Sequence, residues 1–220
     1  MRIYIESTMP SYVVARPARD LIQAAHQQIT RDWWDMQREK HELFTSQVVL
    51  DEIADGEPAM AQRRLELMAG ITVLDLTPDA ESLAGEVLKS GLLPATADGD
   101  AAHIALSTVH EMDILLTWNC RTSRTPLSPD DCAGCWKSAL TRSRKFTRRA
   151  NCPTHDTMKT TNELPTTSGG DLVLQEIWRI KDKLSAARGH DIHRLSAEAR
   201  ERQKHSGHRV VNLQTKRRKA

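Results

Sequence analysis

Short apolar runs alternate with longer amphipathic segments over the first 121 of the 220 residues, and this alternation constrains the fold more than any other feature. Short runs bounded by turn residues are typical of buried strands. Segments with an apolar side chain every three to four positions are typical of helices that pack on a sheet. We therefore predict an α/β domain with a mainly parallel sheet.

Four strands and five helices are predicted in this region. The predicted strands span residues 2–6, 42–46, 71–76 and 113–117. The predicted helices span residues 17–41, 47–55, 59–68, 79–90 and 98–110. The first of these helices carries an apolar stripe that we expect to face the sheet. The stripe consists of Leu21, Ile22, Ala25, Ile29, Trp33 and Met36.

The rest of the chain has a different composition. Residues 122–157 are rich in Arg, Ser, Thr, Pro and Cys without a sustained hydrophobic period, which predicts an irregular junction. Residues 158–220 contain predicted helices at 171–184 and 196–204 and an extended apolar motif at 209–213. This tail has few large apolar groups and can bury little core, so we expect it to be ordered only against a partner surface.

Charge and hydropathy narrow the classes of protein that this chain can belong to. The net charge of +2 is too small to imply nucleic-acid binding by the whole chain, although residues 121–149 and 200–219 are strongly basic. The sequence has no apolar run of about 18 residues and no basic start followed by an apolar stretch. We therefore expect a cytoplasmic protein that does not associate with membranes.

Three acidic residues lie where a parallel sheet would bring them together. Glu6 ends the first predicted strand, Glu52 lies in the helix after the second, and Asp100 opens the helix before the fourth. Open α/β sheets bind ligands at the carboxyl ends of their strands, and Mg²⁺ and Mn²⁺ prefer oxygen ligands. A chain with 29 acidic residues also places some there by chance, as a helix-capping Asp100 and a solvated Glu52.

Four sequence blocks around these acids occur in a recognisable order: YIESTMPSY (4–12), SQVVLDEI (46–53), DAAHIA (100–105) and LLTWN (115–119). Together they resemble the PIN-domain family, in particular its toxin-type (VapC-like) members, over residues 2–121. The resemblance implies a three-layer α/β/α domain and Mg²⁺- or Mn²⁺-dependent endoribonuclease activity, a hydrolase of a toxin–antitoxin system acting on RNA. It also implies an acidic metal site and a homodimer.

The resemblance assigns catalytic and metal-binding roles to four residues. Glu6 stands where many members have Asp, Glu52 matches the helix acid, and Asp100 matches the acid of the third block. Asn119 stands where many members have a fourth acid. An amide oxygen can bind Mg²⁺ or hold a water, but it contributes no charge. The chain therefore departs from the family pattern at a position that affects metal affinity or rate.

Four neighbouring residues could support the acids. Ser7 and Thr8 could hydrogen-bond a metal-bound water or a phosphate, or cap the helix beyond Pro10. His103 lies one helical turn from Asp100 and could orient it, or serve as a packing residue. Asp98 could support the site or carry a charge favoured by the helix dipole.

Three of the four cysteines raise a zinc alternative. Cys132 and Cys135, followed by Cys152 and His155, form two pairs at separations that a zinc site could use, which would make a zinc-dependent nucleic-acid-binding protein. The flanking segments lack the aromatic and apolar residues that give small zinc modules a core. We therefore favour a different explanation for this stretch.

The PIN resemblance stops within its last block, at residues 118–121. Residues 122–157 have the bias expected of GC-rich DNA translated out of frame, and Met158 would then begin a separate downstream protein. The blocks LQEIWRIKD (174–182) and SGHRVV (206–211) resemble the small antitoxin-like proteins encoded beside such toxins.

That second resemblance implies a way in which the nuclease is inhibited. Antitoxin-like segments lay an amphipathic helix in a groove of the toxin and can place an Arg near its acids. Trp178 and Arg179 are the candidates here, with helix packing as the alternative role. A fused tail would act in cis at high effective concentration, in place of a separate cognate antitoxin. A catalytically weak binding or regulatory protein is the alternative to an active ribonuclease.

Overall fold

The computed structural model describes residues 1–119 and 171–214. The zinc candidates Cys132, Cys135, Cys152 and His155, the junction 122–157 and the proposed start at Met158 lie outside the described residues. The described strands form one sheet in the order β4-β1-β2-β3-β5, and every neighbouring pair is parallel. They are β1 (Arg2–Ile5), β2 (Glu42–Ser46), β3 (Thr72–Leu74), β4 (Ile114–Leu116) and β5 (Val210–Val211).

Eight α-helices accompany this sheet in the described residues, which confirms the predicted α/β class and is consistent with a three-layer α/β/α arrangement. They are α1 (Thr8–Val14), α2 (Leu21–Gln37), α3 (Gln47–Ala54), α4 (Pro58–Met68), α5 (Pro78–Lys89), α6 (Asp98–Val109), α7 (Leu172–Ala187) and α8 (Ile192–Gln203). A 3-10 turn (Arg38–Lys40) follows α2. Within the two described segments, no helix is long and apolar enough to cross a membrane.

The interior strand β1 is deeply buried in the sheet. Its side chains from Ile3 to Ile5 are at most 2% exposed, because β1 lies between β2 and β4 and helices cover it. Local signals fix the neighbouring helix starts: the Ser46 hydroxyl caps α3 by accepting from the Val49 amide, and Thr77 caps α5 in the same way. Since the strands are parallel, their carboxyl ends meet at one edge of the sheet.

The predicted inward face of α2 is wrong. Leu21 is 85% exposed and Ile29 is 56% exposed, as are most other members of the stripe, whereas the buried face of α2 carries Gln23, Gln27, Thr30 and Trp34. The reason is that polar side chains on this face form hydrogen bonds with backbone groups of the loop before the helix. Gln27 donates to the Arg16 carbonyl and accepts from the Ala18 amide. Hydrogen-bonding demand at this site outweighed the apolar stripe in orienting the helix.

The described part of the tail, residues 171–214, packs on the first 119 residues of the same chain. Strand β5 pairs with the edge strand β3, with Val210 beside Val73 and Val211 beside Leu74. Helix α7 contacts α1, α3 and α6, and α8 contacts α3, α5 and α6. The surface against which this tail is ordered is therefore supplied in cis.

Ion pairs at the edge of the contact between the tail and the rest of the chain help to set the orientation of the tail. Arg202 donates two hydrogen bonds to Asp51, at 2.9 and 2.7 Å, and the nearby Arg200 contacts Glu81. Asp51 is therefore a docking residue for the tail. Such a planar, two-bond contact fixes orientation as well as contributing energy.

Gly56, between α3 and α4, should be sensitive to substitution because the tail helix lies against it. Its φ is +95°, and a Cβ there would lie 3.3 Å from Ile180 of α7 and 3.3 Å from the buried Arg64. We expect Gly56→Ala to lose about 1 kcal/mol for the backbone conformation and about 1 kcal/mol more for the contacts. Gly70→Ala is the matched control, because Gly70 has φ +82° and open space around it. Equal losses in chemical denaturation would contradict the close docking of α7.

Candidate metal centre

Glu6, Glu52 and Asp100 converge at the carboxyl-end edge of the sheet, around the ammonium group of Lys181. The Lys181 Nζ lies 2.6 Å from Glu6 Oε1, 2.6 Å from Asp100 Oδ1 and 3.4 Å from Glu52 Oε2. Glu6 follows β1, Glu52 is carried by α3 directly after β2, and Asp100 lies in the first turn of α6. The three acids that were selected from the sequence therefore lie close together, each within 3.4 Å of the same nitrogen atom.

Hydroxyl and amide donors hold the Glu6 carboxylate. Its Oε1 accepts from the Ser7 hydroxyl at 2.7 Å, and its Oε2 accepts from the Thr8 amide at 2.9 Å and the Thr8 hydroxyl at 2.6 Å. The Thr117 hydroxyl, just beyond β4, also donates to Oε2 at 2.9 Å. Ser7 therefore orients Glu6 and does not cap α1 with its side chain. Thr8, a sequence candidate for a bond to a metal-bound water or a phosphate, instead holds Glu6, and the supporting role of Thr117 was not predicted from the sequence.

The buried acids are ionised because a cation lies among them. Burial by itself would raise the pKa of Glu6, but Lys181 and then His103 lower that pKa well below its usual range. The pKa of Glu52 is lowered for the same reasons. Burial would lower the pKa of Lys181, yet Asp100, Glu52 and Glu6 together raise it well above its usual value. The cluster is held together by this opposite charge, at a position where the Lys181 side chain is 9% exposed.

Glu52 is positioned from behind by His103. The His103 Nε2 lies 3.2 Å from both carboxylate oxygens of Glu52, and its Nδ1 lies 2.9 Å from the Tyr4 hydroxyl. His103 thus bonds Glu52, whereas the sequence suggested that it orients Asp100. Gly99 leaves room for this arrangement, since a Cβ there would lie 2.8 Å from Glu52 Oε1.

Asn119 positions Asp100. Its Nδ2 donates to both oxygens of Asp100 at 3.1 Å, and its Oδ1 accepts from Trp178 Nε1 of α7 at 3.2 Å. Asp98 accepts a hydrogen bond from the Gly99 amide and lies near Ser185 and Arg188 of the tail. Burial raises the pKa of Asp98, although these two tail residues act to lower it.

The tail residue that enters the acid cluster differs from the predicted one. Trp178 contacts Asn119 as expected of a candidate, but Arg179 is exposed and Lys181 supplies the cation. Lys181 lies three residues after Trp178 and therefore on the same face of the helix. A lysine on an otherwise apolar helix face was the sequence signal that could have identified it.

The donor set of the cluster fits a divalent cation. Glu6, Asp100 and His103 each offer a ligand atom within 4.8 Å of the others, and Glu52 borders the same space through Lys181. Carboxylate oxygens are the ligands that Mg²⁺ and Mn²⁺ prefer. The Lys181 ammonium contacts the same three carboxylates that would bind such a cation. A metal ion and Lys181 of the tail helix would therefore compete for them.

Comparisons of the chain with protein-family models, with curated proteins and with solved structures found no match. In the part of the chain that the structure describes, the fold and the site define an α/β protein with a parallel five-stranded sheet and an acidic cluster at the carboxyl-end edge of that sheet.

Proposed function

We propose that the chain is a PIN-type, Mg²⁺- or Mn²⁺-dependent endoribonuclease of a toxin–antitoxin system, held inactive by its own C-terminal helix. The observation that carries the proposal is the position of the Lys181 ammonium among Glu6, Glu52 and Asp100. A buried charge is retained in a protein only when partners compensate it, and here the compensation closes a cluster suited to metal binding.

The residues that would hold the ion are Glu6, Glu52 and Asp100. When bound there, the ion would supply positive charge to an RNA phosphodiester and make a water molecule more acidic. Ser7, Thr8 and Thr117 fix the orientation of Glu6, and Asn119 fixes that of Asp100. These hydrogen bonds keep Glu6 and Asp100 in the same orientation when Lys181 leaves. The carboxylates therefore need not rearrange before the site binds a metal ion.

The tail takes the part of an antitoxin in this proposal. Its helix α7 covers the acids, and β5 and Arg202 attach it to the edge strand and to Asp51. Because the tail belongs to the same chain, its effective concentration does not fall on dilution. RNA is the proposed substrate and the cytoplasm the proposed location. The resemblance further implies a homodimer, which sedimentation velocity would test.

The proposal is tested by removing one acid from a chain whose lysine has been removed. In the Lys181→Ala background, Asp100→Asn should lower Mn²⁺-dependent cleavage of a labelled single-stranded RNA by about 100-fold or more, because the ion loses a charged ligand. Asp32→Asn is the matched control, since Asp32 lies on the exposed side of α2 and accepts from Gln28. Equal cleavage with and without the Asp100 carboxylate would remove the assignment.

A regulatory, catalytically weak protein is the second candidate. The neutral amide of Asn119 favours it, because Asn119 contributes no charge where the resemblance implies a fourth acid. Mn²⁺ binding by the Lys181→Ala chain without RNA cleavage above that of the same chain in a metal chelator would support this candidate.

A further inference from the structure

A second polar contact joins the tail to residues 1–119, beside the acid cluster. Asp171, which caps α7, accepts a hydrogen bond from the Tyr12 hydroxyl of α1. The same carboxylate oxygen lies 3.6 Å from His26 Nδ1 of α2. Tyr12 is fully buried, whereas the His26 side chain is 30% exposed. These two residues, the Tyr12–His26 pair, therefore face one carboxylate of the tail.

The pair is held in place by contacts that do not involve the tail. The Trp118 ring stacks on His26 with the ring centres 4.3 Å apart, and its centre lies 5.7 Å from that of the Tyr12 ring. Trp118 Nε1 also donates to the Thr30 hydroxyl at 2.8 Å, which holds the indole against α2. The Tyr12–His26 pair therefore keeps its arrangement when Asp171 is withdrawn.

The pair lies next to the candidate metal centre. Tyr12 follows Thr8 by one turn of α1 and lies on the same face of that helix, and Thr8 holds Glu6. The Trp118 amide donates to the same Thr8 hydroxyl at 2.9 Å. Only about one helical turn, about 5.4 Å, therefore separates Tyr12 from a residue that orients Glu6.

One polar atom of the pair is not satisfied by the tail. His26 Nδ1 is buried, and no described residue forms a hydrogen bond with it, because 3.6 Å from Asp171 is too long for one. A phosphodiester group is larger than a carboxylate and carries its charge on two oxygens, so it can bond the Tyr12 hydroxyl and His26 together. A neutral imidazole can carry its hydrogen on either nitrogen, so this contact requires no particular charge on His26.

We propose that Tyr12 and His26 form a binding site for a backbone phosphate of single-stranded RNA, which the Asp171 carboxylate occupies while the tail is docked. The inference rests on the proposed function, which makes RNA the substrate of the acid cluster. An RNA strand with one phosphate at the acids brings a neighbouring phosphate to this pair. Lys181 and Asp171 of the tail then carry the same two charges as a metal ion and an RNA phosphate, at corresponding positions.

The test measures the affinity of the full chain for a short labelled oligouridylate by fluorescence anisotropy, in a metal chelator so that the RNA is not cleaved. Asp171→Ala should bind this RNA about tenfold more tightly than the parent chain, because a phosphate then takes the place of the carboxylate at the Tyr12 hydroxyl. Tyr12→Phe, added to the Asp171→Ala chain, should remove most of this gain.

The double variant separates phosphate binding from docking of the tail. Tyr12 and Asp171 both hold the start of α7, so a purely structural role predicts that either substitution loosens the tail. The double variant would then bind RNA at least as tightly as Asp171→Ala. Phosphate binding predicts the opposite order, because the loosened tail exposes a site that has lost its donor.

Asp191→Ala is the matched control, because Asp191 caps the other tail helix, α8, and is exposed. It removes the same charge and the same kind of cap away from the pair, so the RNA affinity should stay within about twofold of the parent. His26→Phe in the Asp171→Ala chain is the second test if the Tyr12→Phe chain does not fold. It keeps a ring to stack on Trp118 but removes the polar nitrogen, and it should also lower the RNA affinity.

Contrary outcomes distinguish this inference from the proposed function. If Asp171→Ala binds RNA no more tightly than the parent, or if the double variant binds as tightly as Asp171→Ala, then the phosphate site is wrong. The proposed function then still stands on the cleavage assay of the Lys181→Ala chain. If the affinities change as expected but the Lys181→Ala chain does not cleave RNA with Mn²⁺, the pair binds RNA and the proposed nuclease is wrong.

Discussion

Replacing Lys181 by alanine should turn a chain with little nuclease activity into one that cleaves RNA when Mn²⁺ is added. We expect the rate to rise by about 100-fold or more, because the ammonium that lies 2.6 Å from both Glu6 and Asp100 no longer occupies the position proposed for the ion. A metal ion cannot bind at all where a side-chain cation occupies its place. Removing an exposed charge nearby, by contrast, changes the affinity for the ion only slightly. The measurement is the initial rate of cleavage of a labelled RNA at several Mn²⁺ concentrations.

Lys183 provides the matched control for this experiment. It lies on the same helix two residues further on, but its side chain is 67% exposed and pairs with Asp55. Lys183→Ala should therefore leave the chain as inactive as the parent. If Lys181→Ala is no more active than Lys183→Ala at saturating Mn²⁺, then the tail is not what blocks the acids.

The same substitution should destabilise the chain in a way that metal reverses. Removing one partner of a buried ion pair typically costs about 3–5 kcal/mol, and Lys181→Ala removes the cation from three carboxyl groups at once. We expect a loss of that order in denaturant unfolding without metal. Mn²⁺ at about 100 times its dissociation constant should restore about 2.7 kcal/mol, because it binds the folded state.

Two controls distinguish charge from packing in the stability experiment. Lys181→Met retains most of the side-chain volume and should show nearly the same loss as alanine if the missing charge is the cause. Lys183→Ala should change the unfolding free energy by less than about 1 kcal/mol and show no added response to Mn²⁺. Mn²⁺ stabilising the parent chain as much as the Lys181→Ala chain would show that Lys181 and the ion do not compete.

The sequence alone determined most of the elements of the fold because their signals are local. The strand at 42–46 was predicted with the bounds that β2 has, and the caps at Ser46 and Thr77 placed the starts of α3 and α5 to within one residue. Parallel strands end at a common edge, so the convergence of Glu6, Glu52 and Asp100 also followed from the order of elements.

The face of α2 and the occupant of the acid cluster were decided by tertiary structure. A hydrophobic stripe gives the period of a helix, but the buried face of α2 was chosen by the hydrogen bonds of Gln27 to a neighbouring loop. Lys181 reaches Asp100 across 81 residues of sequence, and Tyr4 reaches His103 across 99. Such contacts depend on how elements dock, and a periodic pattern carries no information about which side chain will face a distant partner. The sequence therefore determined the acids, while only the folded chain determined that a lysine from its own tail lies among them.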